Sequence, residues 1–401
     1  MGRRAGFAAV AYAFGATMMG TTLPTPLYTL YQRRFGFSEL MITVIFATYA
    51  AGVIAALLLL GRLSDQIGRR PALLLGLGTS ALSAVAFLVA AGLPLLLIGR
   101  VISGFSAGIF TGTATATLVD LAAPGRQARA TLVAAMANMG GLGCGPLLAG
   151  VLAQTAALPL RLPFWLDLGL LVPAVAGILV MPEPVSHRGS IRWRPQALSV
   201  PASVRATFIR ASLAAFAGFA VLGLSTAVSP AFLGKVLSIH NAAVVGLVVF
   251  GVFAASTAGQ LLLEVVPESR ALPAGCAGLI AGMALFAAGL AASSLALLVL
   301  GAMLAGAGQG LSFRSGLASI NSASPPEQRA SVASSFFVVA YLAISIPVIG
   351  EGVLADVTTL RAAGLAFAAV VAAIAAVVLM LLARGAGGAH AGASADRPKS
   401  G

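Results

Sequence analysis

The sequence is poor in the residues that soluble and catalytic proteins depend on. It has 2 cysteines and 3 histidines in 401 residues. Cys144 and Cys276 both sit inside apolar runs, so no disulfide framework is expected. His187, His240 and His390 are scattered, without the spacing of metal ligands. Charged residues make up 9% of the chain, against about 25% in soluble domains. Nor is any nucleophile–base pair spaced for catalysis. The nearest approach to a phosphate-binding loop, SPAFLGK at 229–235, has Ser229 where the first glycine belongs. Neither an enzyme nor an ATP-driven pump is expected, and no cofactor or metal is implied.

What the chain does have is apolar surface. Hydrophobic residues reach 59%, and mean hydropathy is +1.01. A soluble core could not hide that much from water, so the lipid bilayer is the solvent for most of the chain. The formal net charge of +13 invites a nucleic-acid reading. The basic residues, however, fall in short connections between apolar runs, whereas a nucleic-acid footprint needs a stripe or patch.

A span needs about 20 predominantly apolar residues. Twelve runs qualify, near 7–30, 39–60, 72–91, 94–118, 131–154, 163–181, 207–230, 242–264, 272–291, 295–317, 331–353 and 362–383. They are too long and continuous for barrel strands of about ten alternating residues. Helices satisfy their own backbone groups in lipid, so the expected fold is an all-α polytopic membrane protein with twelve transmembrane helices. The apolar run at the start is too long for a signal peptide and reads as an uncleaved first span.

Orientation follows from the basic residues. With the N-terminus cytoplasmic, the inner connections hold most arginines, among them Arg3, Arg4, Arg62, Arg69, Arg70, Arg126, Arg129, Arg188, Arg192 and Arg194. The outer side keeps Arg33, Arg34, Arg161, Lys235 and Arg361. The positive-inside rule then places both termini in the cytoplasm and the protein in the cell membrane. The Pro- and Arg-rich stretch 182–206 reads as a cytoplasmic linker between six-helix halves at 1–181 and 207–384, and 385–401 as a disordered tail. LAAPGRQARATLVAA (121–135) and NSASPPEQRASVASS (321–335) share a Pro, Gln, Arg-Ala pattern after a fourth helix, which points to internal duplication.

Three stretches depart from the apolar background. Between the second and third spans lies GRLSDQIGRR (61–70), with Gly61 and Gly68 for tight backbone geometry and Asp65, Arg69 and Arg70 as charges. On residues alone it reads as a positive-inside loop with an incidental acid. Arg100 lies in the fourth span, about 9 Å from its outer boundary, where it either snorkels to the surface or faces a cavity. The fifth span carries MGGLGCGPLLAG (139–150), whose Gly141 and Gly145 let another helix approach closely and whose Pro146 removes a backbone donor.

These stretches resemble signatures of the major facilitator superfamily. GRLSDQIGRR is similar to G-x-L-x-D-x-x-G-R-R/K, with Gln66 in place of the usual Arg. The resemblance implies a gating loop made of Gly61, Asp65, Gly68, Arg69 and Arg70, with Asp120 at the end of the fourth helix as partner. Arg100 and Gly104 resemble the fourth-helix motif implicated in proton coupling, although Ser103 stands where Gln is common. Gly141, Gly145, Pro146 and Gly150, with Ala149 for one Gly, resemble the exporters' fifth-helix signature and imply a hinge. The family's architecture places Met18, Phe105, Asn138, Phe219 and Gln309 near a central cavity.

The expected function is therefore secondary transport: export of small amphipathic molecules or drugs in exchange for protons, resembling the twelve-span drug:proton antiporters. A dedicated exporter of one sugar or amino acid, or a proton-coupled importer, is the alternative. A monomer is expected. Among the acids, Glu39 and Asp167 read as solvated carboxylates at outer ends, and Glu351 as a candidate proton carrier. Arg314 reads as snorkelling to the cytoplasm, with an anionic substrate as its other use.

Overall fold

In a computed structural model, residues 2–61, 63–185, 196 and 198–395 are described, with side chains up to residue 384. Arg62, the linker's Arg188, Arg192 and Arg194, and residues 396–401 lie outside the described residues. Among the described residues, 12 helices are long and apolar enough to cross a membrane. In chain order they are α1 (Arg3–Thr22), α2 (Glu39–Leu60), α3 (Arg69–Leu88), α4 (Leu93–Leu121), α5 (Gln127–Thr155), α6 (Leu162–Val180), α7 (Arg205–Ala227), α8 (Ala242–Leu261), α9 (Glu268–Ala291), α10 (Leu295–Ala323), α11 (Arg329–Val357) and α12 (Leu360–Ala395).

Local chemistry explains several boundaries. α1 stops at Pro24, beyond which a 3₁₀ turn over Thr25–Leu27 leads into a short helix, Tyr28–Phe35. Proline there removes a backbone donor and clashes with the preceding turn. Gly36 ends that helix in the left-handed region at φ 69°. Ser38 and Asn241 cap α2 and α8 by accepting from free backbone N–H groups. α12 runs on to Ala395, into the segment expected to be a disordered tail. Alanine is the best helix former, and extending a helix avoids the cost of nucleating one.

With an even number of spans both ends of the chain fall on one side, here called the terminal face. Within the first half, α1 packs against α4, α5 and α6, and α2 against α4. In the second half α7 packs against α10 and α11, and α9 against α10 and α12. Two seams join the halves, α5 against α8 and α2 against α11. The outward side chains are apolar, as at Leu82, Val172, Leu247, Leu300 and Val370. That is the arrangement lipid requires.

Candidate functional site

Between the halves lies a cavity of about 470 Å³. That is inside the ~300–1,000 Å³ typical of small-molecule sites. Arg100, Phe46 and Tyr49 line its deep end, toward the face opposite the termini. Thr115, Thr131, Arg314 and Asn321, near the terminal ends of their helices, line its other end. Phe219, Phe313, Phe337 and Tyr341 form much of the wall between. Phe313 packs edge-on to Phe219 at 5.0 Å and lies 6.1 Å from Phe337, and Tyr49 meets Tyr341 across the two halves at 6.4 Å.

Arg100 does not snorkel. It is 2% exposed, and its Nη1 donates to the Thr21 carbonyl at 2.5 Å. Its guanidinium stacks over Tyr49 at 4.6 Å and Phe46 at 5.5 Å. An Arg at a helix centre costs about 2.5–3.5 kcal/mol to insert. Two desolvated ring contacts and a charged hydrogen bond are each worth about 1–3 kcal/mol, enough to offset that. Its Nε remains without a partner. Gly104, one turn on, sits directly against the Tyr49 carbonyl, so α2 and α4 touch through backbone there.

Placement of the other expected cavity residues divides. Asn138 and Phe219 line the wall. Met18, Phe105 and Gln309 do not. Met18 packs in the α1–α5 contact opposite Gly141, and the backbone of Phe105 meets Gly52 of α2. Gln309 is fully buried against Gly218, its Oε1 accepting from Ser256 at 2.6 Å.

At the terminal face Arg69 is the hub of the charged loop. Its Nη1 donates to Asp65 at 2.6 Å and to Ser64 at 2.7 Å, and its Nε donates to Asp120 at 2.9 Å. Asp65 and Asp120 are thus joined through Arg69. Glu183, which the sequence did not single out, accepts from the backbone N–H groups of Arg69 and Arg70 at 2.9 Å each. A carboxylate at a helix N-terminus answers free N–H groups and the helix dipole together. Gly68 allows the approach: its φ is 103°, and a Cβ there would meet a Glu183 oxygen at 2.8 Å. Gly61 is exposed at the end of α2, where Gln196 donates its backbone N–H to Leu58. Among the described residues, the corresponding connection of the second half offers only a 3.8 Å contact between Glu264 and Arg314. Arg314 is therefore not a surface residue: its side chain is 25% exposed, it lines the cavity, and its Nη1 donates to the Gln260 carbonyl.

Along α5, small residues serve two neighbours. Gly141 meets the Gly15 carbonyl and Gly145 meets Thr22 and the Met19 carbonyl, all on α1. Gly150 meets the Ala242 carbonyl, and Gly246 meets the Pro146 carbonyl, across the seam with α8. Near the same end Lys235, on a π-helical turn over Phe232–Val236, pairs with Glu39 at 2.8 Å. That ion pair links the two halves.

Two acids are buried, and one of them, Asp167, corrects the sequence reading. Asp167 is 2% exposed, its carboxylate set against Gly20 of α1 and its Oδ1 unpartnered. It faces inward because α6 presents this side to α1, not because of its depth. Glu351 is 4% exposed, with neither oxygen partnered, and its neighbour Gly352 packs against Thr43 of α2. Among the described residues no cluster of His, Cys, Asp and Glu is placed to hold a metal ion.

Comparison with known proteins agrees with this geometry. A triacylglyceride transporter of Mycolicibacterium smegmatis is 31% identical over 144 residues, 34% of this chain and 24% of that protein. The multidrug resistance protein MdtL of Klebsiella pneumoniae is 31% identical over 155 residues, 37% of this chain and 38% of that protein. The matched stretches thus span well under half of either relative. Over the whole fold, a bacterial homologue of the human lysosomal transporter Spinster, solved inward-facing and unoccupied, covers 95% of this chain and 97% of its own at TM-score 0.70 and 17% identity. The profile of the Major Facilitator Superfamily matches residues 6–286. That match covers more than two thirds of the chain, and the chain belongs to the Major Facilitator Superfamily.

Proposed function

We propose that the protein exports small amphipathic molecules in exchange for protons, by alternating access, with both termini in the cytoplasm. The observation that carries this reading is the cavity between the halves, walled by apolar rings from its deep end at Arg100 to the terminal ends of α4, α5 and α10. The arginine bias supports a cytoplasmic terminal face. The Glu39–Lys235 pair and the glycine contacts of α5 with α8 close the other face in this conformation. In the reverse conformation the seams would part, and the loop around Asp65, Arg69, Arg70 and Asp120 would close the cytoplasmic side. Arg100 holds the deep end of the cavity and supports coupling. Asp167 and Glu351 are the buried carboxyls available to carry protons. The small-residue face of α5, Gly141, Gly145, Pro146 and Gly150, acts as hinge and seal. MdtL, a multidrug resistance protein by name, supports export of drug-like molecules.

The test is accumulation of fluorescent amphiphiles of either charge sign in cells stripped of their own efflux pumps. Wild-type cells should stay dim until an uncoupler is added, and cells with Arg100→Ala should be bright throughout. Accumulation equal to that in empty-vector cells would set broad export aside in favour of a dedicated metabolite exporter.

A further inference from the structure

The charge of the cavity has one sign. No Asp or Glu among the described residues lines it, while Arg100 and Arg314 both do. The acids near it are turned elsewhere. Asp65 and Asp120 are held by Arg69, Glu39 pairs with Lys235, and Asp167 and Glu351 are buried outside the wall. Glu264 comes to 3.8 Å from Arg314, but it is 55% exposed and not part of the lining. A permeant cation in this space would meet two guanidinium groups and no carboxylate.

Two buried donors on lining residues lack a partner. Gln260 lines the cavity and is 4% exposed, and its Nε2 has no partner. Its backbone carbonyl takes the Arg314 Nη1, so the free amide donor and the guanidinium arise from one spot on the wall. At the deep end, the Nε of Arg100 is the second unpartnered donor. Both atoms are themselves covered, so an acceptor reaches them when the side chains shift, and it then recovers the cost of an unpartnered buried donor. The rings nearest Arg100 already face its guanidinium, so Tyr49 and Phe46 are not free to stack on a second cation. Phe219, Phe313 and Phe337 instead offer an apolar wall for a flat body.

We propose that the site selects anionic amphiphiles. These are molecules with a flat apolar body and a carboxylate, sulfonate or phosphate that reaches Arg314 and the Gln260 amide, while Arg100 keeps the deep end positive. Inside a low-dielectric cavity a charge is felt far more strongly than in water, so the sign of the lining decides which amphiphile enters. This rests on the reading of the cavity as the transport site and adds the substrate's charge to it.

Fluorescein and rhodamine 123 share a xanthene frame and differ in charge sign, which makes them the probes. Binding is read by fluorescence anisotropy on the purified full-length protein in detergent. Fluorescein should bind at least about tenfold more tightly than rhodamine 123, the scale of one charged hydrogen bond. Arg314→Gln should remove most of that preference, and Arg314→Lys should retain it. Asn138→Asp, which adds a carboxylate to the wall, should weaken fluorescein and strengthen rhodamine 123, a gain that a misfolded variant cannot imitate. Equal or tighter binding of rhodamine 123, no effect of Arg314→Gln, or no saturable binding of either dye would overturn the proposal. Transport separates it from the export reading. Fluorescein that binds with the expected preference but does not move in proteoliposomes under a pH gradient would sink proton antiport and uphold the charge selectivity. Gradient-driven movement of rhodamine 123 in preference to fluorescein would do the reverse.

Discussion

Toward the face opposite the termini the helices meet through backbone: Gly145 against Met19 and Thr22, Gly150 against Ala242, Gly246 against Pro146. At the terminal face the order comes from charge, with Arg69 tying Asp65 to Asp120 and Glu183 capping α3 inside one half. The two devices tolerate change differently. A backbone contact has no slack, so an added side chain forces the helices apart. A charged cluster at the membrane surface is partly hydrated, and losing one member shifts a balance without blocking a motion. The comparison predicts that substitutions along α5 and α8 abolish transport, whereas those in the loop tune it.

Gly145→Leu has the largest expected effect. Overpacking a tight contact costs about 1–3 kcal/mol or more, and here it acts on a helix that packs against both α1 and α8. Transport should fall more than about tenfold while membrane insertion and expression stay unchanged. Full activity in that variant would show that the α1–α5 contact is ordinary packing. Gly246→Leu is the matching test across the seam with α8 and should lose transport to a similar degree.

Arg69→Ala should come next. Its side chain is 12% exposed and serves two carboxylates, so its loss takes the ion-pair partner from both Asp65 and Asp120, with Arg3 still bonded to the Asp120 carbonyl. A cost of about 1–2 kcal/mol corresponds to a five- to thirtyfold shift between conformations. The transport rate should drop with little change in the concentration dependence for substrate, because the cavity is untouched. A changed apparent affinity with an unchanged rate would contradict a gating role.

How much of this could be read from the chain depended on how local each feature is. Span number and the charged loop are written in contiguous residues, and GRLSDQIGRR announces itself by its charges against an apolar background. Glu183 lies far along the chain from Arg69 and Arg70, and nothing in its own neighbourhood marks it as their cap. The depth of Arg100 was legible, but its partners Phe46 and Tyr49 belong to another helix. Which side of a span faces the cavity was the least legible. In soluble helices polarity separates the faces, whereas here lipid and core are both apolar. Asn138 carried a polar clue and proved to line the wall, while Met18 and Phe105 were indistinguishable from packing residues. Gln309 was polar and still misleading, because it is fully buried inside the second half, its Oε1 accepting from Ser256. Asp167 misled through its place near a helix end, since depth along a span says nothing about the direction a side chain faces.

The smallest expected effect belongs to the charged link at the far face, the Glu39–Lys235 pair. Glu39 also accepts from Gln32 at 2.9 Å, so loss of Lys235 would leave it with a partner. The Lys235 side chain is 60% exposed, and such pairs are worth about 0–1 kcal/mol. Lys235→Ala should therefore raise the population open at that face by no more than about fivefold. Labelling of Ala153→Cys by an impermeant maleimide, in a background lacking Cys144 and Cys276, measures it, because Ala153 borders the small polar pocket beneath the pair. High salt should reproduce the substitution in the wild type, as exposed charges are screened. A shift exceeding that of Arg69→Ala would invert the comparison, making charge rather than backbone contact the lock on the far face.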